Sequence, residues 1–139
     1  MKQLLKLMTI GVLAGCLLAG FLKFIYQTTG NQAYLLLYNV DYIPVLHQWE
    51  DVPLFGIFFH FVFCIASVIG LFYILKIFQF EQNVFPYVAV YTIGSGALYF
   101  LTLLTEQPPA ANDIMAWVSW TFGHVLFGCS VGYLVKVWK

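Results

Sequence analysis

Four stretches of this chain are too long and too apolar to be left in water. They cover about residues 4–26, 53–77, 85–105 and 114–138, and each meets the roughly 20 apolar residues that one bilayer crossing needs. Charge is correspondingly scarce: 9% of residues are charged and 62% are hydrophobic, against about 25% charged in a soluble domain. Too little polar surface is available for a water-soluble fold. Backbone groups in hydrocarbon must be paired within their own segment, so all four stretches read as helices. The expected fold is all-α, an integral membrane bundle of four transmembrane helices forming one domain over residues 1–139. The lipid bilayer is its first partner.

The few charges orient it. Lys2 and Lys6 precede the first segment, Lys76 ends the second, and Lys136 and Lys139 close the chain. The two other loops carry Asp41, Glu50, Asp51, Glu106 and Asp113. By the positive-inside rule both termini and the short 78–84 loop face the cytoplasm. Lys23 falls at the outer end of the first helix, where its stem can snorkel to the interface or its ammonium can pair with a loop acid. Net charge is zero and arginine is absent, so no basic patch points to nucleic acid. Cys16, Cys64 and Cys129 all lie in apolar segments and read as buried thiols, not disulfide partners.

The first segment has a second reading. A basic start and Leu13-Ala14-Gly15-Cys16 resemble a lipoprotein signal ending in a lipid-modified cysteine. The apolar run continues through Leu17-Leu18-Ala19-Gly20-Phe21, where a cleaved signal gives way to polar residues, so a retained helix is expected. Gly11, Gly15 and Ala19 then form a small-residue stripe for close helix contact. Gly128 and Gly132 form another in the last helix, following His124 at four-residue steps.

The 27–52 connection is the longest. After a polar turn, Ala33-Tyr34-Leu35-Leu36-Leu37-Tyr38 is too short to span, which predicts a short interfacial helix or a lid, with Tyr34, Tyr38, Tyr42 and Trp49 at headgroup level. Glu50, Asp51 and Pro53 suit the first turn of the second helix. Asn112 or Asp113 caps the fourth. No internal repeat supports an inverted-repeat transporter.

Two histidines carry the chemical interest. His60 lies about seven residues into its helix and His124 about eleven, and the two helices run the same way. A rise of 1.5 Å per residue offsets them by about 6 Å, so both can reach one cavity in the outer half of the bundle. Intramembrane polar groups are costly and mark function by default. Three readings stay open: hydrogen-bonded glue to Thr92, Ser95, Ser119 or a tyrosine; proton or substrate handling; and metal or haem ligation by His60, Cys64 and His124. No HExxH or CxxC motif supports the last, and no cofactor or catalytic residue is called for. His47, Glu50, Asp51, Glu106 and Asp113 form an outer acidic group that can bind a cation or funnel protons towards the histidines.

Certain motifs resemble a known family. Gly11-Val12-Leu13-Ala14-Gly15 with Phe21-Leu22-Lys23-Phe24, then Phe59-His60-Phe61-Val62-Phe63, then Thr105-Glu106-Gln107-Pro108-Pro109 with Ser119-Trp120-Thr121-Phe122-Gly123-His124 are similar in order and spacing to YagU-like bacterial inner-membrane proteins. The outer loop here is shorter than in that family. The resemblance implies a small multi-pass protein of the bacterial cytoplasmic membrane linked to acid resistance, with Lys23, His60 and His124 as family-type polar positions. The expected function is non-enzymatic, a homo-oligomeric pathway for protons, ions or a small solute. The alternatives are a membrane enzyme or metal- or haem-binding protein using His60 and His124, and a scaffold without chemistry.

Overall fold

A computed structural model describes residues 2–138. Lys139, one of the charges used for orientation, lies outside them. The described chain is all-helical, with four helices long and apolar enough to cross a membrane. They are α1 (Lys2–Thr29), α3 (Phe55–Ile77), α4 (Val84–Leu98, extended by a 3-10 stretch over Tyr99–Leu104) and α5 (Ile114–Val137), with a one-turn helix α2 (Ala33–Leu36) after α1. Their outer faces carry bare Leu, Ile, Val and Phe side chains such as Leu17, Phe58, Ile74, Ile93 and Phe122. That belt has no water-compatible role and fits hydrocarbon.

Local chemistry sets the helix ends. Gly30 takes a left-handed φ of 73° and returns its amide to the Tyr26 carbonyl, which stops α1. Gln79, also left-handed, ends α3: Phe80 N–H reaches Leu75 O at 2.9 Å and Gln79 N–H reaches Lys76 O at 3.1 Å, the paired bonds of a Schellman cap. Asn83 and Asp113 cap α4 and α5 through their side-chain oxygens. One expected cap is absent. Glu50, Asp51 and Pro53 are not in the first turn of α3, because Leu54 sits at φ 65° and the helix starts only at Phe55. A left-handed leucine cannot continue a right-handed helix, so the acids belong to the preceding loop.

The bundle is held at its glycines. A methyl at Gly11 would lie 2.8 Å from Ile65 Cα, and one at Gly15 would meet Cys64 Sγ at 3.2 Å, so this stripe seats α1 on α3. Gly128 and Gly132 bring α5 onto α4, with Val88 Cα and Val84 Cα at 2.9 and 3.0 Å from the same test position. Gly123 faces Leu18 of α1. These stripes are therefore used inside one chain. They are filled by neighbouring helices and do not stand open to a second copy.

The resulting order around the bundle is α3, α1, α5, α4. Neighbours in that order pack closely; α3 and α4, at the two ends, share no packed face. Two indoles of α5 reach backbone carbonyls near the end of α4. Trp120 Nε1 donates to Ser95 O at 2.9 Å and Trp117 Nε1 to Gly96 O at 3.0 Å. Lys6 Nζ reaches the Trp138 carbonyl at 3.4 Å, so both chain ends lie at one end of the bundle. The other, the lid end, carries the 30–54 and 105–113 loops.

Candidate functional site

The seam left between α3 and α4 widens into a cavity of about 450 Å³ towards the lid end. Leu18 of α1 and Trp120 and Phe127 of α5 form its back wall. Phe59 and Phe63 of α3 face Val90, Gly94 and Leu98 of α4 across it. Three of these residues also belong to the outer surface: Phe63, Val90 and Leu98 are 54, 48 and 47% exposed. The cavity thus reaches the bundle surface at membrane depth. Towards the terminal end it is stopped by tightly buried Val68, Leu71, Phe72, Val131 and Val135. Its wall is mostly hydrocarbon.

His60 and His124 both line this cavity, as their shared depth and direction predict. Their partners are not the expected hydroxyls. His60 Nε2 donates to the Gly15 carbonyl at 3.2 Å, across the α1–α3 contact, and its ring sits 3.8 Å from Cys64 Sγ. His124 Nδ1 donates to the Trp120 carbonyl one turn back at 2.8 Å, and its ring lies 4.5 Å from the Trp120 ring. A carbonyl only accepts, so each bond fixes a tautomer. His60 holds its proton on Nε2 and His124 holds it on Nδ1. His60 is buried and glues two helices; His124 bonds only within α5 and lines the cavity, its other ring nitrogen without a partner among the described residues.

The lid is the 33–46 segment. Ala33, Leu36, Leu37 and Val40 are buried, and Tyr42, Ile43 and Pro44 roof the cavity. Tyr38 stands edge-on to the His60 ring at 5.8 Å, and its carbonyl meets α3 at Gly56, where only glycine fits. Tyr38 and Tyr42 are partly buried and pack against the core of the bundle; Trp49 stays exposed, edge-on to Phe55. The roof is latched to α4. Thr105 donates a short hydrogen bond to Asp41, His47 forms a close ion pair with the same carboxylate, and His47 Nδ1 is 3.5 Å from Glu50.

That latch is the polar part of the molecule. The Thr105 hydroxyl, and then His47, hold the Asp41 carboxyl below the usual carboxylate range. Partial burial, and then the Asp41 charge, push Glu50 above its usual value. Ligand atoms of Asp41, His47 and Glu50 lie within 4.8 Å of one another, one imidazole with two carboxylates. The same groups also satisfy each other as an ion-paired cluster. His60, Cys64 and His124 do not bring three donor atoms that close among the described residues. Glu106 borders the polar basin around the latch, whereas Asp51 is exposed beside it. Lys23 is exposed on α1 and makes no ion pair with a described residue. Cys16 points outward from an unbroken helix.

Sequence reading missed several of these residues. Asp41 and Thr105 are 64 positions apart and nothing local pairs them. Tyr91 and Gly94 join the cavity only because α4 turns that face to α3. Comparison with protein-family models, with curated proteins and with solved structures finds no match to this chain.

Proposed function

We propose that this chain is a non-enzymatic membrane protein that takes a small lipid-soluble molecule from the bilayer through the α3–α4 seam and holds it beneath the lid. One observation carries this reading: the single unpacked seam of the bundle opens into a 450 Å³ cavity whose wall is hydrocarbon with two histidines set in it. Apolar cavities of this size with a few convergent polar groups are what small-molecule sites look like. A proton or ion path through one chain has less support, since the terminal half of the bundle is closed by buried aliphatic and aromatic side chains. The likeness to YagU-like proteins, a place in the bacterial cytoplasmic membrane and a link to acid stress belong to this proposal and rest on the short motifs alone.

Gly94 provides the test. It lines the cavity, and a side chain added there meets nothing within 4 Å. Gly94→Phe should fill the cavity without disturbing the helices, and a helical glycine replaced by a better helix former costs no stability. Protein in nanodiscs, released intact into a mass spectrometer after incubation with 4-nonylphenol, should carry one bound equivalent as wild type and none as Gly94→Phe, with the melting temperature kept. Equal binding by the two proteins would sink the proposal.

A further inference from the structure

The cavity wall offers hydrogen-bond acceptors and almost no donors. Each polar hydrogen on its inner wall is already committed to a protein acceptor. His60 gives its proton to Gly15 O and His124 gives its proton to Trp120 O. The Tyr91 hydroxyl donates to Ser67 Oγ at 3.4 Å, Ser67 Oγ donates to Cys64 O at 2.9 Å, and Ser95 Oγ donates to Thr92 O at 3.2 Å. Cys64 brings a thiol, a weak donor already beside His60. Tyr42, in the roof, is the exception among the hydroxyls.

What remains is lone pairs. His124 Nε2 is an imidazole acceptor with no hydrogen-bond partner among the described residues, on a side chain that is only partly buried and lines the cavity. We infer that the molecule held in the α3–α4 cavity is an amphiphile whose polar end donates a hydrogen bond, a hydroxyl on an apolar body such as a phenol, a hydroquinone or an isoprenoid alcohol, with His124 Nε2 as the acceptor that receives it. This rests on the proposed binding role of the cavity and adds the chemical class of the occupant. A carboxylate or a quinone carbonyl set against His124 Nε2 would face that lone pair with its own lone pairs and leave both sides unsatisfied in a low-dielectric wall, which costs more than a missing contact does in water. A donor in the same place satisfies His124 and keeps its tail in hydrocarbon. The orientation follows: head towards α5, tail out along Phe63, Val90 and Leu98 to the lipid.

A matched pair of ligands tests this: 4-nonylphenol and its methyl ether, 4-nonylanisole, which differ by the one donor hydrogen. Wild type in nanodiscs should retain the phenol about tenfold better than the ether, the worth of one buried hydrogen bond. In His124→Phe, which keeps a ring against Trp120 and removes the lone pair, the preference should collapse to about parity while the ether binds as before. Equal retention of both ligands by wild type overturns the donor assignment and leaves the cavity as a binding site. A preference that survives in His124→Phe overturns the role of His124. Retention of neither ligand by a protein with an unchanged melting temperature removes the underlying binding reading.

Discussion

At the scale of single residues, the glycines separate into two kinds that composition cannot distinguish. Gly11 faces the Ile65 backbone at 2.8 Å from a would-be Cβ, while Gly20 and Gly70 face nothing within 4 Å. A backbone neighbour cannot move aside as a side-chain tip can. Gly11→Ala should therefore destabilise the protein by about 1–3 kcal/mol, the range for overpacking, and Gly70→Ala should be neutral or stabilising by up to about 1 kcal/mol. Thermal unfolding in one detergent compares the two, and a Gly11→Ala protein as stable as wild type would contradict the α1–α3 contact. The histidines divide in a similar way. His60 bridges helices through Gly15 O, whereas His124 bonds only its own helix. His60→Ala should lose more stability than His124→Ala, since it both opens a void beside Cys64 and removes the hydrogen bond that ties α3 to α1 at Gly15 O.

At the scale of elements, the lid is the part that responds to pH. Asp41 is held below the usual carboxylate range, so its contribution to lid closure is complete at neutral pH and disappears only in strong acid, as the proton returns to it. Glu50 is pushed upward by burial and by Asp41, so its ionised form works against the closed lid at neutral pH, and protonation relieves that. Both carboxyls face His47, Asp41 also accepts from Thr105, and Asp51 adds negative charge beside Glu50. The lid should therefore tighten as pH falls from neutral through the range in which Glu50 takes up its proton, and loosen at lower pH as Asp41 does. Amide exchange over residues 37–46 follows this directly. Thr105→Val should raise exchange there at every pH above the Asp41 transition, and Glu50→Gln should abolish the tightening step. Exchange that rises steadily from neutral pH downward would show that Glu50 does not oppose closure. The acids were legible in the sequence as an outer group. Their assignment to the first turn of α3 failed because one backbone angle, at Leu54, keeps the helix from starting before Phe55, two residues after Pro53.

At the scale of the whole molecule, an incomplete ring of helices is the organising fact. α1 is central because its two faces carry Gly11 and Gly15 towards α3 and Leu18 and Leu22 towards Gly123 of α5. With α4 bound to α5 by glycines and two indoles, the side-chain hydrogen bond that joins α4 to α3 among the described residues is Tyr91–Ser67 at 3.4 Å. The seam is therefore a consequence of where the small residues are. Four crossings bring both ends to one side, and by the positive-inside rule the lysine pattern leads us to propose that side as the cytoplasmic one. A cysteine placed at Asn112, at the lid end, in a protein freed of Cys16, Cys64 and Cys129, should react with an impermeant maleimide in intact cells, and one at Gln82 should react only after lysis. The reverse labelling would invert the proposed orientation and put the lid in the cytoplasm.

Length, apolarity and lysine placement are local or additive properties, so the sequence by itself determined four membrane helices, a lid-like first loop and two histidines at one depth. The Asp113 cap was legible for the same reason, since a cap involves only its neighbours in the chain. The tertiary structure alone decided which helices touch. Glycine stripes announce a close contact without saying whose, and here the partners are α3 and α4 of the same chain, not a second copy. It decided the tautomers too, because His60 and His124 take their partners from backbone carbonyls that every residue carries and no sequence pattern marks. The cavity is the clearest case: it exists where α3 and α4 fail to meet, and a missing contact leaves no trace in the residues on either side of it.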